Sequence, residues 1–190
     1  MIDTLIDGVL YITNGSGDVT QEAIDQLGIS AVMVVAKDIM GYLFRPVHDE
    51  LCTLKCGECK YRKCPNNKVY CYNNCSKCHA PCGSCNDKVI TADVYEYPIL
   101  DDNKPGQAQL VKIAANTVHT IILDGRRVLI TCKGGMSRSS IVAICAIHAA
   151  SGYDLDKARK LVEDRHPAAR MLNVFLLEAA KGLYAKEEAW

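Results

Sequence analysis

The chain of 190 residues balances 22 lysines and arginines against 22 aspartates and glutamates, so no global basic field draws it to nucleic acid or to a membrane surface. Its length suits one domain with a substantial core and a small appendage rather than two large domains. No basic stretch followed by an apolar segment opens the sequence, and the longest apolar run, residues 141–150, is too short to span a bilayer, which leads us to expect a soluble intracellular, cytoplasmic protein.

Residues 1–14 read as one or two short strands, with Val9-Leu10-Tyr11-Ile12 the clearest, followed by the turn Asn14-Gly15-Ser16-Gly17. Asp18 is the expected N-cap of a helix over 19–27 that Gly28 ends. The uninterrupted apolar run Ala31-Val32-Met33-Val34-Val35-Ala36 predicts a strand buried on both faces.

The composition changes at Asp38. Nine of the eleven cysteines, Cys52, Cys56, Cys59, Cys64, Cys71, Cys75, Cys78, Cys82 and Cys85, fall in a polar stretch with almost no apolar periodicity. We read 38–90 as an inserted metal-binding module. Cys52-x3-Cys56-x2-Cys59 recurs nineteen residues later as Cys71-x3-Cys75-x2-Cys78, and a C-x2-C step lets two thiolates reach one ion from a tight turn. Two structural zinc ions would use eight of the nine cysteines, with His48 or His79 as substitute ligands, and the spacing leaves open which cysteines share an ion. An iron–sulfur cluster and a disulfide framework are the competing readings. Between Cys52 and Cys85 the module holds Lys55, Lys60, Arg62, Lys63, Lys68 and Lys77 against Glu58, with Tyr61, Tyr70 and Tyr72 interleaved. A zinc ion held by four thiolates carries a net charge of about minus two, which cancels much of that basicity. A structural staple or protein-docking surface is therefore favoured over nucleic-acid docking.

From Val94 to Leu100 the pattern returns to a strand, which ends in the polar loop Asp101-Asp102-Asn103-Lys104-Pro105-Gly106. A helix is predicted over 107–123 through Leu110, Ile113, Val118, Ile121 and Ile122. The run Val128-Leu129-Ile130 then predicts a second buried strand with Cys132 just past its C-terminal end. Gly134 and Gly135 permit a tight turn whose N–H groups point inward, and a helix over 139–150 aims its N-terminus at the same place. Five residues separate Cys132 from Arg138, so a loop curled around a tetrahedral anion sets the sulfur beneath it and the planar guanidinium fork beside it. His148 and Cys145 are read as packing residues. Asp154 is expected to cap a helix to Arg165 that Pro167 breaks, before a last amphipathic helix over 171–183 through Leu172, Phe175, Leu176, Ala179 and Leu183.

Cys132-Lys133-Gly134-Gly135-Met136-Ser137-Arg138-Ser139 resembles the Cys-x5-Arg-Ser/Thr signature of the cysteine-dependent protein tyrosine and dual-specificity phosphatases, and its Gly-x-Ser-Arg-Ser ending is closest to the dual-specificity branch. The early strand, helix, strand order is similar as well. The resemblance implies an α/β fold with a central, mostly parallel sheet flanked by helices, which the 38–90 insertion interrupts. It implies hydrolysis of phosphotyrosine and phosphoserine/threonine through a phosphocysteine, on a phosphoprotein substrate and without a catalytic cofactor. Cys132 would be the nucleophile, Lys133, Gly134, Gly135, Met136, Ser137 and Arg138 the phosphate cradle, and Ser139 the group that stabilises the departing thiolate. Asp102 falls at the general acid's position, with Asp101 the fallback. Two departures stand out. Thr131 replaces the histidine usual before the nucleophile, so the loop needs a compensating donor or has a less reactive sulfur. Asn173 is out of register with the family's Pro-Asn approach to the site, and Arg170 is read as an exposed, solvated side chain. The alternatives are a catalytically weak phosphate-binding interaction module, and a phosphatase acting on RNA 5′ ends or another non-protein phosphate.

Overall fold

The apolar runs assemble into one five-stranded sheet. In the computed structural model, which describes residues 1–15, 18–37, 47–48, 69–70 and 90–185, the chain forms β1 (Ile2–Ile6), β2 (Leu10–Thr13), α1 (Gln21–Leu27), β3 (Ala31–Val34), β4 (Val47–His48), β5 (Val69–Tyr70), β6 (Asp93–Glu96), α2 (Gln107–Leu123), β7 (Val128–Thr131), α3 (Arg138–Ser151), α4 (Leu155–Arg165), a 3-10 helix (Pro167–Met171) and α5 (Val174–Ala185). The sheet order is β1-β2-β7-β3-β6, with β1 antiparallel to β2 and every other pairing parallel. This is the mostly parallel α/β sheet that the sequence predicts. Strand β7 lies at its centre, pairing Leu10 with Val128 on one side and Ala31 with Val128 on the other. All four β7 residues are buried, which is why their apolar run shows no alternation.

Helix α3 packs directly behind this centre, and every residue from Arg138 to Ile147 is buried. It contacts α2 and α4, while α2 also packs on α5. The chain divides into two compact units, Met1–Met40 with Ala92–Trp190, and Gly41–Thr91. Within the second, β4 and β5 pair antiparallel, Val47 opposite Tyr70 and His48 opposite Val69. The nine cysteines from Cys52 to Cys85, and His79, lie outside the described residues, as do Ser16 and Gly17 of the first predicted turn and the side chain of Arg170. Among the described residues, no helix is long and apolar enough to cross a membrane.

Several element boundaries differ from expectation. Thr20, not Asp18, caps α1: its hydroxyl accepts from the Ala23 N–H at 3.1 Å, while Asp18 pairs with the N-terminal ammonium. Strand β6 stops at Glu96 instead of running to Leu100. Tyr97 still donates its N–H to the Val34 carbonyl at 2.8 Å, but Pro98 has no N–H with which to continue a ladder. In α2 the buried stripe is Val111, Ala114, Ala115, Val118 and Ile121, whereas Ile113 is exposed; small alanines let two helices approach closely where larger residues would not. The expected helix over 171–183 resolves into the 3-10 turn, an extended Leu172, and α5 with a buried stripe of Leu176, Leu177, Ala180 and Tyr184. Phe175 faces solvent. Asn173 starts this helix, its side-chain oxygen accepting from the Leu176 N–H at 3.2 Å. Asp154 caps α4 as predicted, through the Lys157 N–H at 2.7 Å.

Candidate active site

Residues 132–137 join the end of β7 to the start of α3, so the central strand and the buried helix fix both ends of the loop. Cys132 is 2% exposed. Its Sγ receives the Gly135 N–H at 3.2 Å and lies 3.2 Å from the Ser139 hydroxyl, so a backbone amide and a hydroxyl converge on the sulfur. Ser137 is the N-cap residue of α3, yet its hydroxyl makes no capping bond. It donates instead to the Asp101 carboxylate at 2.8 Å and accepts the Asn173 backbone N–H at 2.9 Å. No side chain at position 137 therefore occupies the amides of the first turn, the part of a helix best suited to bind an anion. Arg138 is buried and donates through one Nη to the Ile99 carbonyl at 3.4 Å. That contact ties the guanidinium to the segment that carries Asp101.

Gly135 is where the loop meets the sheet. Its φ is +67°, a left-handed conformation that only glycine adopts cheaply. A Cβ there would collide with the Thr13 carbonyl oxygen and the Asn14 backbone at the end of β2. The Gly135 carbonyl accepts from the Ser140 hydroxyl at 3.2 Å and meets Nε2 of the fully buried His166 at 2.6 Å. His166 Nδ1 in turn meets Asp3 Oδ2 at 2.6 Å. Thr131 is fully buried, with its hydroxyl 3.1 Å from that of Thr13, so the side chain in the usual histidine's place is satisfied locally.

The two candidate acids are differently engaged. Asp102 accepts from the Lys104 backbone N–H at 3.1 Å and pairs with its ammonium at 3.0 Å. Desolvation pushes its carboxyl upward, but the hydrogen bonds and charge of Lys104 outweigh it and hold the group below the ordinary carboxylate range. Asp101 points its Oδ1 at the loop after β7, where it accepts from Ser137. Cys145, the other cysteine described, is completely buried; burial, only partly offset by Tyr184, pushes its thiol up to about 12.

The structure brings Gly135 and Ser139 to the Cys132 sulfur, with Ser137 turned to Asp101 and Arg138 to the Ile99 carbonyl. Lys133 and Met136 are exposed on the loop, and Gly134 is half-buried. Sequence reasoning missed the support by His166, Asp3 and Asn173. Asn173 was legible only as a displaced family residue, and nothing local marks Asp3 and His166 as partners across 163 positions. Among the described residues, no group of three or more histidines, cysteines, aspartates or glutamates is placed to hold a metal ion.

No protein-family model matches the chain, and no curated protein sequence matches it. Its backbone is nevertheless similar to solved phosphatase structures. Human DUSP28 is 13% identical, with 96% of this chain and 95% of that one covered at a TM-score of 0.60. The Cydia pomonella PTP-2 phosphatase is 18% identical over 95% and 88% of the two chains, at 0.60. The human tyrosine phosphatase-like serine/threonine/tyrosine-interacting protein is 13% identical over 98% and 97%, at 0.64. The fold is that of the dual-specificity and protein tyrosine phosphatases.

Proposed function

We propose that the protein is a cysteine-dependent phosphatase that hydrolyses phosphotyrosine and phosphoserine/threonine in phosphoproteins. The observation that carries this reading is the 2.8 Å hydrogen bond from Ser137 to Asp101. It brings a carboxyl group from a separate strand's C-terminal loop to the Cys132 loop, which a chance C-x5-R match has no reason to do.

In this reading Cys132 Sγ attacks phosphorus while Arg138 and the loop amides bind the equatorial oxygens. The P–O bond to the leaving group breaks, and the leaving oxygen takes a proton from Asp101. We assign the acid to Asp101 because its carboxylate faces the Cys132 loop through Ser137, whereas Asp102 is turned to Lys104. Water then attacks the phosphocysteine, giving its proton to the Asp101 carboxylate as the P–S bond breaks. The returning thiolate is received by the Gly135 N–H and the Ser139 hydroxyl. This chemistry uses no metal. Zinc held by the cysteines of 38–90 is proposed as a structural staple of that insertion.

The test is hydrolysis of an aryl phosphate by the wild type and by Cys132→Ser, Asp101→Asn and Asp102→Asn. The expected result is loss of turnover in Cys132→Ser, a drop of about 10²–10⁴-fold in Asp101→Asn, and near wild-type rates in Asp102→Asn. Turnover that survives Cys132→Ser overturns the mechanism, and the reverse order of the two aspartates reassigns the acid. A second reading, a phosphate-binding interaction module, draws support from Thr131 in the usual histidine's place and from the fold shared with a protein described as tyrosine phosphatase-like. Oxyanion binding by a wild type that does not turn over substrate selects it.

A further inference from the structure

His166 stands between α4 and Pro167 at the entry to the 3-10 turn; it is fully buried, and both of its ring nitrogens face oxygen atoms. The Gly135 carbonyl can only accept, so the 2.6 Å contact requires the proton to be on Nε2. Nδ1 meets Asp3 Oδ2 at 2.6 Å. Asp3 sits in β1 and fixes the plane of the ring; the ring in turn fixes the carbonyl.

The consequence follows from peptide geometry. A trans peptide is planar and its C=O and N–H point in opposite directions. Pulling the Gly135 carbonyl toward His166 and Ser140 turns the Met136 N–H to the opposite side, away from both. Gly135 has no side chain to restrict rotation about this unit. If the peptide turned over, a carbonyl oxygen would face the anion where an N–H should be. We infer that His166 and Asp3 are a positioning pair that holds the Gly135–Met136 peptide with its N–H available to a bound tetrahedral oxyanion. The inference rests on the phosphate-loop reading above and deepens it. His166 supplies from the far end of the chain the imidazole that position 131 lacks.

The experiment compares His166→Leu with His166→Gln in the full chain. Both fill the buried volume, but only glutamine retains a donor at the Nε2 position. Tungstate affinity is measured by titration calorimetry, aryl phosphate turnover is measured in parallel, and circular dichroism monitors folding. The expected result is tungstate binding weakened at least ten-fold in His166→Leu and recovered to within a few-fold of wild type in His166→Gln. Wild-type affinity in His166→Leu overturns the inference, as does equal weakening in the two variants, because the donor then does not matter. If His166→Leu fails to fold, Asp3→Ala decides: its side chain lies at the domain's edge, 18% exposed. A several-fold loss of tungstate affinity with native circular dichroism supports the pair, and unchanged affinity removes it. A wild type that binds tungstate without turnover defeats the phosphatase reading alone, and one that binds none defeats both.

Discussion

Replacing Gly135 with alanine tests whether the loop is shaped by its contact with β2. Two separate penalties act at this position. The left-handed backbone, φ +67°, costs an alanine about 1 kcal/mol. The added Cβ also falls on the Thr13 carbonyl oxygen and Asn14 backbone, and backbone at the end of a central strand cannot rotate away as a flexible side chain would. Overpacking of this kind costs about 1–3 kcal/mol. The sum is about 2–4 kcal/mol, which at about 2–4 °C per kcal/mol for a domain of this size lowers Tm by about 4–16 °C. Gly152 is the internal control, because it has the same φ of +67° and a Cβ added there would meet nothing within 4 Å. Gly152→Ala therefore carries the backbone penalty alone, about 1 kcal/mol or a Tm loss of about 2–4 °C. The assay is thermal unfolding of both variants by circular dichroism, with tungstate affinity alongside. If the loop relieves the clash by moving, stability is partly recovered and tungstate affinity falls instead. A Gly135→Ala protein that melts with Gly152→Ala and binds tungstate like the wild type refutes the reasoning.

In the native protein, Cys145 should resist iodoacetamide, since burial holds its thiol up at about 12; peptide-resolved mass spectrometry reads this, and rapid native labelling of Cys145 contradicts its placement. The Lys181 ammonium of α5 hydrogen-bonds Asp156 of α4 at 2.7 Å, lowering the aspartate's pKa and raising the lysine's. The aspartate's contribution is present above its unfolded value of about 3.9 and lost as pH falls through its lower folded value, while the lysine's is present below about 10.4 and lost as pH rises through its higher folded value. Asp156→Asn should thus lower Tm slightly at neutral pH and make no difference near pH 2, and an effect that persists there counts against the pair. Purified protein should contain about two zinc ions per chain if the 38–90 cysteines form tetrathiolate sites, which elemental analysis measures; chelation should then unfold that segment before it affects aryl phosphate turnover.

The elements legible in the sequence were those whose cause is local. The continuous apolar runs at 31–36 and 128–130 became central strands because burial on both faces removes the need for alternation. Gly28 adopts φ +61° at the end of α1, as a helix-ending glycine should. The loop that carries Cys132 was readable because an apolar strand leads into it and an apolar helix leaves it. What stayed hidden depends on tertiary partners. Ile113 looks like a core position until α3 demands small residues in α2, and Asp18 looks like a cap until the N-terminal ammonium claims it. The choice between Asp101 and Asp102 turns on where Lys104 and Ser137 lie, and adjacent aspartates carry no such information in sequence.

The loop's design explains why its supports are dispersed. A cradle of backbone amides must present N–H groups to a ligand, so the matching carbonyls point away and need donors of their own behind it. At Gly135 those donors are Ser140 from α3 and His166 from beyond α4; the Thr131 carbonyl receives the Val35 N–H at 2.9 Å from beyond β3. The loop itself is too short to supply them. A sequence with residues 132–139 intact but Asp3 and His166 replaced would keep the cysteine and lose the contacts that hold the Gly135 carbonyl behind the loop. The loop geometry at Cys132 is thus a property of the whole sheet and of the helices packed behind it, and residues 132–139 mark only the place where they converge.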